Sequence, residues 1–277
     1  MDELSRIVHD HDIDRYLAAL FVPSAKRRHV MALYAFNAEV ARIPYHVSEP
    51  QLAEIRLQFW LDTVEAIYHG DAQGHPVAQA LGAAIEAGDI PKHAVLDLVK
   101  AHQFDLYSDP MPSLGDLEGY LGETQSALIR MAAMILDRDG ALEAGEACGL
   151  AGVHYGIAQV LNTLPRAQRH KQCFLPAEQM AQRQVDPARL NDPDSEAGLG
   201  VVLAELRSLA QKRLEELRRV TWTISPAIAP AFLHVALADA YLAKARARGA
   251  KVLVQGCEIS QLRKQWIVYK AAKQVLF

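Results

Sequence analysis

Apolar residues recur at intervals of three and four along almost the whole 277-residue chain, and the two-residue alternation of a half-buried strand is nearly missing. Side chains three and four apart share one face of a helix, whereas a strand needs every second residue, so this patterning restricts the chain to an all-α fold. Helices are predicted over roughly residues 24–43, 51–69, 76–88, 91–107, 114–137, 141–164, 197–220, 228–247 and 258–275. Ser24 and Ser113 can accept from free amides of a first turn, and Pro91 suits a first helical position, where its missing N–H costs nothing. Pro165 is expected to break the helix before it, Gly249 follows a basic last turn, and the polar stretch 184–196 reads as a loop. No shift in composition, repeat or low-complexity tract divides the chain, so residues 1–277 read as one helical domain.

With 51% hydrophobic residues the chain can bury a large core, and its net charge of -4 gives no bulk attraction to nucleic acid. Cys148, Cys173 and Cys257 are odd in number and widely spaced, which suggests neither a disulfide framework nor a zinc site. The opening residues MDELSRIVHDHDIDRY are acidic and lack the apolar core of a signal peptide. No apolar run reaches the roughly 18 residues of a membrane span. The expected location is therefore the cytoplasm, with at most a peripheral attachment to the inner face of a membrane.

Two stretches carry more specific information: MALYAFNAEVARIP (Met31 to Pro44) and YGIAQVLNTLPRAQRHKQCFLP (Tyr155 to Pro176). They resemble the two signature segments of the squalene/phytoene synthase family, whose members have an isoprenoid-synthase-like helical bundle around a central cavity. In that family each segment carries two aspartates four residues apart. Such a pair lies about 6 Å apart on one helix face and can share the magnesium ions that hold a substrate diphosphate. Here Tyr34, Ala35 and Phe36 keep the first frame, as do Pro23, Lys26 and Arg27 before it, but the acidic positions fall by counting on Ala41 and Tyr45. Glu39 lies two residues early, toward the other side of the helix. In the second segment Gln159, Asn162, Leu164, Leu175 and Pro176 keep the frame, while the aspartate positions fall on Arg166 and His170. Two anionic positions have become cationic, and magnesium would be repelled there. No metal and no cofactor are expected; magnesium belongs only to the alternative of an active head-to-head prenyltransferase.

That alternative needs displaced carboxylates. Asp10 and Asp14 have the i, i+4 spacing but precede the first predicted helix, where short acidic residues usually serve as solvated turns or caps. Asp105 and Asp109 share the spacing, with Pro110 placing the second at a helix end.

AFNAEVA (Ala35 to Ala41), YLGETQSAL (Tyr120 to Leu128) and the loop linking Gly156 and Ile157 to Pro165, Arg169 and Phe174-Leu175-Pro176 are similar to a non-catalytic branch of the family, that of the mitochondrial complex I assembly factor of squalene/phytoene-synthase type. Glu123, Thr124, Gln125 and Ser126 stand where synthases carry a small Ala-Gly pair that makes room for prenyl tails. The resemblance, from about Arg15 to Lys264, implies no catalytic residues, a protein partner such as a respiratory complex I subunit, and a role in assembling that complex. A carrier of isoprenoid or quinone-like lipid is the remaining alternative.

If the bundle is kept, Arg42, Arg166, Arg169, His170 and Lys171 are expected to converge on the cavity mouth, either as a solvated basic loop or as a site for an acidic peptide or anionic lipid headgroup. Glu123, Thr124 and Gln125 are expected to face the cavity as a satisfied polar network, and His154 and Tyr155 to complete core hydrogen bonds. On the last helix Ile259, Leu262, Trp266 and Tyr269 form an apolar stripe that ordinarily packs on the bundle. Arg263, Lys264, Lys270 and Lys273 on other faces, with Leu276 and Phe277 at the tip, also permit contact with an anionic bilayer.

Overall fold

The computed structural model describes residues 2–47, 49–71 and 74–274. Two helices occupy the N-terminal stretch that periodicity left unassigned, α1 (Glu3–His11) and α2 (Ile13–Ala19). Each starts on an aspartate whose carboxylate accepts a first-turn amide: Asp2 from Ser5 at 2.8 Å and Asp12 from Arg15 at 3.2 Å. Each spans only two or so turns, too few for an apolar period to declare itself.

The longer of the remaining helices follow the predicted rhythm, and the short helices Ile43–His46, Ala177–Gln182 and Val252–Gln255 are additions to it. In chain order these helices are α3 (Ser24–Ala41), α4 (Ile43–His46), α5 (Pro50–Tyr68), α6 (Pro76–Gly88), α7 (Lys92–Ala101), α8 (Leu114–Leu121), α9 (Ala127–Leu136) and α10 (Arg138–Glu143). After them come α11 (Gly145–Arg169), α12 (Ala177–Gln182), α13 (Glu196–Val220), α14 (Ala238–Arg248), α15 (Val252–Gln255) and α16 (Gln261–Lys273). Ser113 caps α8 as expected, accepting from the Asp116 amide at 3.1 Å. Ser24 does not cap α3, because Pro23 holds that position and its carbonyl takes the amides of Lys26 and Arg27. Pro91 is likewise the residue before α7 rather than its first. The predicted helix 114–137 is one rod with a π-helical turn, Gly122–Ser126, between α8 and α9. The predicted 228–247 begins as a nine-residue 3-10 stretch, Ala229–Leu237. Strands β1 (Pro110–Met111) and β2 (Cys173–Pro176) form a short parallel pair that pins the segment after α11 to the one before α8.

The buried apolar side chains form one continuous cluster around α11, which packs on α13, α14, α15 and the π turn. Two glycines of α11 allow that last contact: a Cβ on Gly152 would land on the Ser126 backbone, and one on Gly156 would meet Leu121 Cδ2 at 2.6 Å. Cys148, Cys173 and Cys257 are free thiols.

Two expectations are corrected. Pro165 does not end α11, which continues another turn to Arg169. A proline deletes one amide from the ladder, and here the burial of Leu164 and Ala167 on either side holds the final turn in place. The apolar stripe of the last helix does not pack inward: Leu262, Trp266 and Tyr269 are 78, 61 and 47% exposed, while Lys264 and Val268 are buried. Only Ile259 of that stripe is inside. The helix is phased by Lys264, whose ammonium finds partners in the core. Leu276 and Phe277 lie outside the described residues.

Candidate functional site: a polar cavity with a cationic mouth

A cavity of about 200 Å³ opens between α2, α3, α4, α8, the π turn and α11, with His102 and Asp105 from the stretch after α7. Its wall includes Ala41 and Arg42 of the first signature segment, Tyr45 just after it, and Arg166 of the second. The Arg166 guanidinium lies 3.5 Å from the centre of the Tyr45 ring, close enough for a strong cation–π contact, and His170 meets the same ring edge-on at 4.8 Å. Tyr45 is therefore clasped between two groups of the second segment. Burial, with Asp105 nearby, pushes its phenol up to about 12, so it stays neutral. Arg42 bridges Glu39 at 3.1 Å and His46 Nε2 at 3.0 Å. Burial and neighbouring arginines hold His46 and His170 below their ordinary range, which favours neutral rings at the mouth.

The floor and the wall opposite centre on Arg15, Asp12 and His102, to which the sequence assigned no role. Arg15 is buried between the rings of Tyr34 and Tyr155, and donates to Asp12 at 2.7 Å and to Gln125 at 2.6 Å. Burial alone would weaken the guanidinium's hold on its proton; Asp12 and the flanking phenols more than compensate. On the opposite wall His102 Nδ1 donates to Asp105 Oδ2 at 2.7 Å, Tyr120 donates to Oδ1 at 2.8 Å, and Gln172 donates to the Asp105 carbonyl at 2.5 Å. The His102 ring lines the cavity, and its Nε2 is buried without a hydrogen-bond partner among the described residues. The cue in sequence is a His-x-x-Asp spacing at a helix end, too common to stand out.

Behind the cavity, Asp14 is buried and accepts from Tyr155 at 3.0 Å, from Gln159 at 2.8 Å and from Tyr241 at 2.8 Å, and Lys264 Nζ lies 2.9 Å from its Oδ1. The reading of Asp14 as a solvated turn is thus overturned. It falls on the inward face of α2, whereas Asp10 is exposed on α1, so the two share no helix face. Asp105 and Asp109 are separated in the same way: the first is buried in the His102 pair and the second is exposed beyond the 3-10 turn Phe104–Leu106.

The remaining candidates divide. Gln159 reaches the cavity and also donates to the Tyr155 oxygen at 2.7 Å. Asn162, one turn on, points away and holds the C-terminal segment instead, donating to Glu258 at 2.8 Å and accepting from the Cys257 amide at 3.2 Å. Gln125 alone of the expected network lines the cavity; Thr124 is turned away and bonds the Tyr120 carbonyl, and Ser126 bonds the Gly149 carbonyl. Glu123 is exposed and outside the cavity, because the π turn rotates it outward. Arg169 folds back on the Pro165 carbonyl, and Lys171, in a left-handed conformation at φ 59°, lines a separate depression with Gln168 and Pro187. The basic residues therefore do not converge as one group: Arg42 and Arg166 line the cavity, and His170 joins them only through its contact with the Tyr45 ring. His154 and Tyr155 complete core bonds as expected, His154 with the Ala210 carbonyl at 2.9 Å.

The π turn also separates two spaces. Leu121 and Gln125 face the polar cavity, and Gly122 and Ser126 face a groove of about 710 Å³ lined by Met131, Met134, Leu142, Leu150 and Val153. Magnesium does not suit the polar cavity. Its two wall aspartates, Asp12 and Asp105, are engaged by Arg15 and by His102 with Tyr120, and among the described residues no cluster of three or more His, Cys, Asp or Glu side chains could hold a metal.

The sequence profile of squalene/phytoene synthases matches residues 8–264. The human protein called NADH dehydrogenase (ubiquinone) complex I, assembly factor 6, is 28% identical over 238 residues, which cover 86% of this chain and 71% of the human one. Its Drosophila melanogaster homolog is 29% identical over 249 residues, covering 87% and 73%. Among solved structures, a dehydrosqualene synthase bound to a ligand superposes with a TM-score of 0.82 at 16% identity, over 98% of this chain and 94% of that one. Squalene synthase HpnC from Alicyclobacillus acidocaldarius gives 0.73 at 20% identity, over 89% and 92%.

Proposed function

The chain belongs to the squalene/phytoene synthase family, and from that premise we propose that it is a non-catalytic member that assists assembly of respiratory complex I by holding a partner protein. The observation that carries the proposal is the Arg166–Tyr45–His170 clasp beside Arg42. At the positions where the family resemblance puts chelating aspartates, the cavity mouth offers a guanidinium and aromatic rings. A guanidinium binds a carboxylate directly, through paired charge-assisted hydrogen bonds, so the partner chemistry that suits this mouth is an acidic side chain of a protein segment. The small polar floor behind it, closed by Leu121, Gln125 and Arg15, has room for such a group and little for a prenyl tail. The similarity to the human and Drosophila melanogaster complex I assembly factors supports the same reading.

A second reading, binding of an isoprenoid lipid, draws support from the apolar stretch of the groove behind the π turn, whose lining also carries Glu118, Arg130, Arg138 and Arg213. The deciding experiment is deletion of the gene in its host with complementation. Assembled complex I, read on native gels, should fall and be restored by the wild-type chain but only in part by Arg166→Glu. Normal complex I together with loss of a polyprenoid product would sink the proposal and favour a synthase. Normal complex I with an unchanged polyprenoid profile, and a co-purifying lipid, would favour the lipid carrier.

A further inference from the structure

The stretch from Lys244 to Lys273 holds eight lysines and arginines against one acid, Glu258, so it carries +7 in a chain of net charge -4 and leaves -11 on the rest. Lys264 of that set is neutralised inside the core by Asp14 and Glu258. Arg263, Lys270 and Lys273 are exposed on α16, a helix without an acidic residue. On the same helix Leu262, Trp266 and Tyr269 stand one turn apart along the outer face, 78, 61 and 47% exposed. The indole and phenol rings stack at 6.3 Å, and two lysines sit against them: Lys270 Nζ is 5.9 Å from the Trp266 ring and Lys273 Nζ 5.8 Å from the Tyr269 ring.

We propose that the outer face of α16 is a docking surface for an anionic lipid bilayer. A helix lying in the headgroup plane needs a few apolar and aromatic side chains that reach the acyl boundary, flanked by cations that meet lipid phosphates. Trp and Tyr suit that boundary because one end of each ring system is apolar and the other polar. The inward face of α16 is already committed through Lys264 and Val268, so the outer face is presented rigidly, with its orientation fixed by the buried ion pair. Charge complementarity selects the occupant. A basic segment on an otherwise acidic molecule orients that end toward a negative surface and turns the remainder away from it. The inference uses none of the cavity residues and stands whether or not the partner-binding reading holds.

The test is sedimentation of the full-length protein with vesicles of phosphatidylcholine alone or with phosphatidylglycerol added at about one third, a negative surface of the kind such helices recognise. Binding is expected to the anionic vesicles only and to weaken with salt. Leu262→Ala with Trp266→Ala should lower the partition coefficient roughly tenfold or more, since both side chains lose their apolar contact. Lys270→Glu with Lys273→Glu should lower it comparably and remove the salt dependence. Trp222→Ala, which deletes an 83% exposed tryptophan elsewhere, should leave it unchanged. Each variant is checked for unchanged melting temperature, and a Leu262→Ser with Trp266→Ser pair replaces any that unfolds. Equal binding to neutral vesicles, unaltered binding of the α16 variants, loss of binding in Trp222→Ala, or a dimer in solution that dissociates on Trp266→Ala would each overturn the proposal.

Discussion

Lys264, near the C-terminal end of the chain, and Asp14, near its start, form an ion pair at 2.9 Å with both side chains at most 5% exposed. Burial raises the Asp14 carboxyl above its usual range even though Lys264 and Tyr241 oppose it. Burial depresses the Lys264 ammonium, but Asp14 and Glu258 together outweigh that and raise it. Three further donors, Tyr155, Gln159 and Tyr241, complete the shell of Asp14, so α2, α11, α14 and α16 are joined at one carboxylate.

Removing one partner of such a pair strands the other. Lys264→Met should destabilise the protein by about 3–5 kcal/mol in urea unfolding, because a buried carboxylate loses its counter-charge. Adding Asp14→Asn should recover part of the loss, since the remaining group is then neutral. Additive effects of the two changes would show that the pair is not the coupling element.

Acid should weaken the fold through histidine. His234 is fully buried, meets Tyr155 edge-on at 4.7 Å, and has no partner for either ring nitrogen among the described residues. Burial, and then the charge of Arg15, hold its pKa well below the ordinary 6.5. The unfolded chain thus takes up the proton first as pH falls. The stability due to neutral His234 is fully present above 6.5 and is lost as pH drops from there toward the folded value, at up to about 1.4 kcal/mol per pH unit. His154, also buried and lowered mainly by burial, adds a change of the same sign. Denaturant titrations between pH 7.5 and about 5 should show a steeper decline for the wild type than for His234→Leu.

Two glycines of α11 should respond oppositely to alanine. At Gly152 a methyl group would collide with the Ser126 backbone, which cannot yield without moving the π turn, and about 1–3 kcal/mol should be lost. At Gly149 a methyl group meets nothing within 4 Å, and relief of helical glycine entropy should stabilise by roughly 0.5–1 kcal/mol. Melting curves of the two variants compare them directly.

The clasp at the mouth should matter for partner binding and little for folding. Arg166 is exposed and has Tyr45 as its ring contact, so Arg166→Glu should shift stability by no more than about 1 kcal/mol while weakening capture of respiratory subunits from host membranes. Tyr45→Leu, which removes the ring under the guanidinium, should reduce capture in the same direction. Full capture by both variants would place the partner elsewhere on the molecule.

The sequence by itself determined the helical class, the positions of the long helices and the frame of the two signature segments, because those depend on period and local chemistry. By counting from Tyr34-Ala35-Phe36 and from Gln159, the sequence also leads to the expectation that Ala41, Tyr45, Arg166 and His170 stand in place of the family's carboxylates, a count that needs no coordinates. Tertiary structure decided what those residues do. That Arg166 covers Tyr45 while Arg169 and Lys171 turn away follows from α11 continuing through Pro165, which a local rule cannot foresee. The burial of Asp14 and the outward turn of Leu262, Trp266 and Tyr269 have one cause: an ion pair between opposite ends of the chain, invisible to any window of sequence, sets the phase of α16. Short apolar periods specify a face only weakly, and a single buried charge that must be paired outweighs them.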